Sequence, residues 1–155
     1  GQHRVPQAWL DRRLAENRRP HLFIYGHEPV FETGHRDNLG FYPKERDAFW
    51  NAIGRAGGKI YFCGHDHFYN RAVITDDSGH PIRQIIAGTG GGTLRKWTGH
   101  YRDERVVGEY HNNDYHGYLL VKVEGSQATF VWKALVKQGK TDVWKNQDAF
   151  IYTSP

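Results

Sequence analysis

The 155-residue sequence contains one cysteine, no methionine and no long apolar run. A single cysteine excludes a disulfide framework and a four-cysteine zinc site within this chain. No stretch approaches the roughly 20 apolar residues that a membrane-spanning helix needs. Charged residues make up 25% of the sequence, as in ordinary globular proteins, which excludes intrinsic disorder as the main interpretation. These properties predict one soluble globular domain over residues 1–155.

The net charge of +4 is small, and acidic residues are interspersed with the basic ones. The densest basic cluster is formed by Arg12, Arg13, Arg18 and Arg19, within and just after the first predicted helix. A solvated helix face explains this cluster, so neither a nucleic acid nor a membrane is predicted as a partner.

The apolar spacing predicts two helices and a series of strands. Helices are expected over residues 6–16 and from 43 to about 56, each beginning at a proline. Two short apolar runs, at 22–25 and 60–63, are expected to be strands buried on both faces. Further strands are expected over 72–75, 82–87, 117–124, 128–136 and 148–153. The long polar loop over 26–43 is of a length that is usually functional or disordered.

Both short apolar strands are followed by Gly-His, as Gly-His-Glu-Pro at 26–29 and Gly-His-Asp-His at 64–67. In open α/β sheets, ligand sites lie at the carboxyl ends of the strands. His65 and His67 can face one ion, or each can face one of two ions roughly 3.5–4 Å apart. Asp66 between them either points away or holds an imidazole. With His27 in the parallel position, the pattern predicts a metal site.

On these motifs the sequence resembles the C-terminal half of a calcineurin-like metallophosphoesterase of the purple-acid-phosphatase type. Phe-Tyr-Asn-Arg at 68–71 and Gly-Thr-Gly-Gly-Gly at 88–92 extend the resemblance, which covers nearly the whole chain. The resemblance implies an α/β fold that forms the C-terminal half of an α/β/β/α sandwich, with two helices and a β-rich end.

The resemblance also implies an activity, which is phosphatase-type hydrolysis of a phosphate ester by a metal-bound hydroxide. The intact enzyme would hold two divalent or trivalent ions of the iron, zinc, manganese or magnesium class. His27 and His65 would bind the second ion and His67 the first, while His35 would anchor phosphate or protonate the leaving group. The resemblance is also compatible with an extracytoplasmic location.

Two residues that follow the second motif, Tyr69 and Arg71, are candidates for contact with the substrate. Bracing of the loop at 65–67 is the alternative role for both side chains. Alternatives also exist for the whole chain, which could be a non-catalytic metal-binding or interaction module with the same fold. A structural β-rich domain with incidental histidines is the third interpretation.

The sequence departs from the family in its carboxylates. The family's early motifs, Asp-x-His, Gly-Asp-x-x-Asp and Gly-Asn-His, supply the acidic ligands, and the last two do not occur in this chain. Asp114-Tyr115-His116 has the spelling of the first motif but follows a polar stretch instead of an apolar strand. The chain alone is therefore expected to bind at most one ion and to be inactive. Its expected partner is the missing N-terminal half or a second copy of itself.

Overall fold

A computed structural model describes residues 3–31 and 33–154. Two helices lie on one face of a five-stranded sheet, and a three-stranded sheet packs on its other face. The helices are α1 (Gln7–Glu16) and α2 (Pro43–Arg55), with a 3₁₀ turn at Leu39–Phe41. The strands are β1 (Phe23–Tyr25), β2 (Ile60–Cys63), β3 (Tyr69–Thr75), β4 (Pro81–Ala87), β5 (Val106–Asn112), β6 (Gly117–Glu124), β7 (Gln127–Gln138) and β8 (Thr141–Thr153). Within the described ranges, no helix has the length and apolar character needed to span a membrane.

The five-stranded sheet has the order β1-β2-β4-β3-β5. Strands β1, β2 and β4 are parallel, whereas β3 pairs antiparallel with both β4 and β5. Because β1 and β2 are parallel and Tyr25 is in register with Phe62, their carboxyl ends lie side by side. The chain segments after both strands therefore leave the sheet at the same edge.

Strand β2 is buried on both faces, as the sequence predicts. Tyr61 and Cys63 pack with the helices, whereas Ile60 and Phe62 pack with the second sheet. The corresponding prediction for residues 22–25 is wrong. Among the described residues, strand β1 pairs with β2 alone, so it lies at the edge of the sheet, and Tyr25 is 72% exposed.

The second sheet is antiparallel, with the order β6-β7-β8. Alternate residues of β7 face the first sheet and are buried: Ala128, Phe130, Trp132 and Ala134. The predicted strands at 82–87, 117–124 and 128–136 are confirmed. Strand β8 begins well before residue 148, and β5 was missed because Gly108 and polar residues interrupt its apolar pattern. The two helices and β-rich end confirm the predicted fold class.

An ion pair in the layer between the sheets joins β3 to β8. Nε of Arg71 lies 2.9 Å from Oδ2 of Asp148, and Nη2 lies 2.9 Å from Oδ1, a two-pronged contact. The Tyr69 hydroxyl donates a hydrogen bond of 2.8 Å to the same carboxylate. Burial, reinforced by the Asp148 charge, raises the pKa of Tyr69 well above its ordinary value, so the hydroxyl remains a donor. Glu109 also contacts the Arg71 guanidinium.

We expect Asp148→Asn to lower the free energy of unfolding by about 3 kcal/mol, because it leaves a largely buried guanidinium poorly compensated. The contact between Arg71 and Glu109 remains in the variant. The expected loss is therefore at the lower end of the roughly 3–5 kcal/mol that removal of one partner of a buried ion pair costs. The control is Asp142→Asn on the same strand, where an exposed pair with Lys137 contributes about 0–1 kcal/mol. Urea unfolding of both variants measures the difference, and equal midpoints would contradict the assigned role of Asp148.

Candidate metal centre

The parallel ends of β1 and β2 bring His27 and His65 together. The Nε2 atom of His27 lies 3.3 Å from Nδ1 of His65. Backbone hydrogen bonds continue past the strands, from the Gly26 N–H to the Phe62 carbonyl and from the Gly64 N–H to the His27 carbonyl, both 3.0 Å long. Glycine is required at position 26, because a Cβ there would lie 2.0 Å from the Tyr61 hydroxyl.

The backbone of His65 has a φ of +65°, in the left-handed region that non-glycine residues rarely adopt. Such a conformation costs on the order of 1–3 kcal/mol and persists only where the surroundings enforce it. Here the surroundings include Gly88, where a Cβ would lie 1.9 Å from the Asp66 carbonyl oxygen. Strained backbone of this kind concentrates at functional sites. The left-handed conformation sets the direction in which the His65 side chain leaves the end of the strand.

The Asp66 carboxylate, with a side-chain exposure of 1%, holds the polar loop against this turn. It accepts a hydrogen bond of 3.0 Å from the Gly34 N–H and another from the Thr33 hydroxyl. Nδ1 of His35 contacts the other carboxylate oxygen. As a result, the rings of His35 and His65 lie 4.8 Å apart, centroid to centroid. Asp66 thus takes the second of its two predicted roles, that of holding an imidazole.

His67 is held by the loop at 88–97. Its Nδ1 atom lies 2.9 Å from the Thr93 carbonyl oxygen, which can only accept, so Nδ1 carries the proton. In the neutral ring, Nε2 is then left with a free lone pair, which is the form that binds a metal. The Arg95 N–H donates to the His67 carbonyl at 3.0 Å, and Trp97 stacks on Phe68 with ring centroids 5.2 Å apart.

Asp37 belongs to the cluster and was missed by the sequence analysis. Its Oδ2 atom lies 3.2 Å from Nε2 of His65, and the hydrogen bond with His65 lowers the pKa of Asp37. Ligand atoms of His35, Asp37 and His65 all lie within 4.8 Å of one another. The available sequence signal was the position of this carboxylate two residues after His35 in the same loop.

The donor atoms fit a metal ion. Two nitrogens bound to one tetrahedral zinc at about 2.0–2.1 Å are separated by roughly 3.3–3.4 Å. The distance between Nε2 of His27 and Nδ1 of His65 has this value. With Nδ1 as the ligand, the Nε2–H of His65 faces Asp37, an arrangement common around metal-bound histidines. Imidazole ligands suit zinc, copper, iron and nickel.

The remaining sequence candidates have other contacts. Tyr69 and Arg71 are not brought to the histidines, because both side chains are engaged with Asp148 between the sheets. In the segment that resembled an Asp-x-His motif, Asp114 pairs with Lys96. Nδ1 of His116 lies 3.1 Å from the carbonyl oxygen of Thr89.

Comparisons with known proteins agree with this fold. No protein-family profile matches the chain. Tartrate-resistant acid phosphatase type 5 of rabbit (Oryctolagus cuniculus) is 28% identical over 87 residues, which is 56% of this chain and 25% of the relative.

Solved structures with the same fold include PhoD, with a TM-score of 0.72 and 15% identity over 96% of this chain and 32% of PhoD. The purple acid phosphatase PPD1 of yellow lupin (Lupinus luteus) seeds has a TM-score of 0.69 and 15% identity over 94% of this chain and 28% of PPD1. GAP50, described as the anchor in the inner membrane complex of Plasmodium, has a TM-score of 0.63 and 16% identity over 96% of this chain and 42% of GAP50.

These comparisons confirm the resemblance to the purple-acid-phosphatase type. The chain spans about a quarter of the length of the rabbit relative and between 28% and 42% of the length of these solved structures. Over that length, it has the fold of a part of these proteins.

We expect Gly92→Ala to displace the His67 ring, because a Cβ at position 92 would lie 2.7–3.1 Å from three ring atoms. The hydrogen bond to Thr93 and the single tautomer of His67 would then be lost. Gly90→Ala is the matched control, since a Cβ there meets nothing within 4 Å. Nitrogen-15 chemical shifts of the His67 ring measure the tautomer. Unchanged shifts in Gly92→Ala would contradict the assigned role of the loop at 88–97.

Proposed function

We propose that this chain is the C-terminal part of a metal-dependent phosphoesterase of the calcineurin-like type. The observation that carries the proposal is the 3.3 Å approach of Nε2 of His27 to Nδ1 of His65 at two adjacent strand ends. When bound, the metal ions supply an activated water and stabilise the charge that develops on the phosphate oxygens. The acid phosphatases among the relatives support a phosphate ester as the substrate.

Each histidine has a separate task in this proposal. His27 and His65 hold the second ion between the two strand ends, and His67 offers Nε2 to the first ion. The buried Asp66 orients His35 through Nδ1, which leaves Nε2 of His35 for the substrate. From that position His35 anchors the phosphate or gives a proton to the leaving oxygen.

The chain does not supply the charge that two cations require. Neutral imidazoles cannot offset the repulsion between two ions a few ångströms apart. Asp66 is already engaged with Thr33, Gly34 and His35, and Asp37 lies at the exposed rim. We therefore assign the remaining carboxylates to the N-terminal half of the same domain, so that residues 1–155 form one partial domain.

The free edge of β1 is the proposed attachment surface for that half. An open groove of about 460 Å³ lies between α1 and β1. Two large side chains in its wall, Trp9 and Tyr25, are 51% and 72% exposed. An unpaired strand edge is a template for another strand, and burying a large apolar side chain contributes about 1.5–3 kcal/mol. A second copy of the chain is the alternative occupant.

A non-catalytic module with the same fold is the second candidate function. The absence of the family's acidic motifs from this sequence favours such a module, as does the description of GAP50 as an anchor. Such a module would hold one ion through imidazoles, or none, and would not hydrolyse esters in any complex.

We expect the isolated chain to show no measurable hydrolysis of an aryl phosphate and to bind at most one zinc-type ion, for lack of carboxylates. Addition of an N-terminal segment that carries the three acidic motifs of a purple acid phosphatase should give activity. The assay is release of p-nitrophenol, with metal content measured on the same samples.

Two outcomes would contradict this expectation. Robust hydrolysis with two ions in the isolated chain would show that the chain needs no further carboxylates. A stable complex with the N-terminal segment that binds at most one ion and remains inactive would favour the non-catalytic module.

In the active complex, we expect His65→Ala and His67→Ala to abolish hydrolysis. His35→Ala should lower the rate roughly 10²–10⁴-fold for an alkyl phosphate, and much less for an activated aryl phosphate whose leaving group needs no proton. The comparison of kcat for the two esters measures the role of His35. Equal losses on both esters would show that His35 anchors the phosphate and does not donate a proton.

A further inference from the structure

The imidazole of His65 has different neighbours on its two nitrogens. Nδ1 faces His27 at 3.3 Å, whereas Nε2 faces Oδ2 of Asp37 at 3.2 Å. The ring of His35 lies on the Asp37 side of this group, within reach of the same ligand atoms. We propose that His35, Asp37 and Nε2 of His65 form a cation site of their own, which takes a borderline divalent ion such as Zn²⁺.

The donor set suits such an ion. Two imidazoles and one carboxylate form a known three-ligand zinc set, which leaves a fourth position open. The three ligand atoms lie within 4.8 Å of one another, whereas tetrahedral zinc separates its ligands by about 3.3 Å. Nε2 of His65 and Oδ2 of Asp37 already have about this separation, at 3.2 Å, so an ion needs only the ligand atom of His35 to approach them. His35 and Asp37 are also separated by a single residue of one loop.

Only one of the two ring nitrogens of His65 can bind an ion at a time. A neutral imidazole carries one proton and offers one lone pair. An ion shared with His27 needs the lone pair on Nδ1, and the Nε2–H then donates to Asp37. An ion shared with His35 and Asp37 needs the lone pair on Nε2, and the proton moves to Nδ1. One chain therefore holds one ion at His65, on one side or the other.

In the isolated chain the Asp37 side has the stronger donor set. It combines a carboxylate with two imidazoles, whereas the His27 side has imidazoles alone. A carboxylate also offsets part of the charge of the ion. We therefore expect the first zinc ion to bind to His35, Asp37 and His65.

Zinc on the Asp37 side would interfere with catalysis, an effect that rests on the proposed function. An ion on the Asp37 side occupies His35, which the proposed mechanism needs for the phosphate or the leaving group. It also removes the lone pair of His65 from the ion shared with His27. Excess zinc would therefore inhibit the complete enzyme reversibly by occupying this site.

The test is calorimetric titration of the 155-residue chain with ZnCl₂, using single substitutions. We expect one zinc per chain, with the affinity reduced about tenfold or more in His35→Gln, since even outer partners of a metal contribute 10–100-fold. His27→Gln should reduce the affinity less than His35→Gln does, because the glutamine oxygen can replace Nε2 of His27 as the acceptor for the Nδ1–H of His65. The control is His100→Gln, which replaces an exposed histidine in another loop. Circular dichroism checks that each variant folds.

A second measurement does not depend on any variant. Nitrogen-15 shifts of the His65 ring in the zinc-loaded chain should show Nε2 as the metal ligand and Nδ1 as the protonated atom. Coordination through Nδ1, or an affinity that falls in His27→Gln and not in His35→Gln, would overturn the inference and leave the proposed function standing. Zinc binding unaffected by His35→Gln, His27→Gln and His65→Ala alike would overturn both.

Discussion

The parallel pairing of β1 with β2 is the constraint on which the rest of the site depends. Each of these strands ends in glycine followed by histidine, and their register places the two histidines at one edge of the sheet. The backbone bonds after the strands, from Gly26 to Phe62 and from Gly64 to His27, keep the two segments together. The pairing of the two strands therefore brings the imidazoles of His27 and His65 close together.

This arrangement is maintained against a local cost. His65 adopts a left-handed backbone conformation, and Asp66 next to it is a buried carboxylate. Both costs are offset by contacts from neighbouring segments, in particular the Gly34 N–H and the close approach of Gly88. Behind the turn, the pair of Arg71 and Asp148 fixes β3 against the second sheet. His27 and His65 thus lie at the ends of two paired strands, while Asp37 lies on an exposed part of a loop.

The sequence predicts the parts of this structure that follow from local pattern. Apolar runs ended by glycine give β1 and β2, and the repeated Gly-His motif places His27 and His65 at one edge. The edge position of β1 could not be predicted, because burial on the second face depends on neighbours that the run itself does not reveal. Strand β5 depends on pairing with β3 and has a polar sequence. Asp37 approaches His65 only through the path of a long loop, and its position two residues after His35 does not by itself predict that contact.

The proposed site depends on coordination of a metal ion by His65 at the end of β2. Anomalous diffraction at the zinc absorption edge, from crystals of the chain grown with Zn²⁺, tests it most directly. We expect an anomalous peak at bonding distance, about 2.0–2.1 Å, from a ring nitrogen of His65. Zinc bound only at other histidines, with the His65 ring free of any peak, would contradict it.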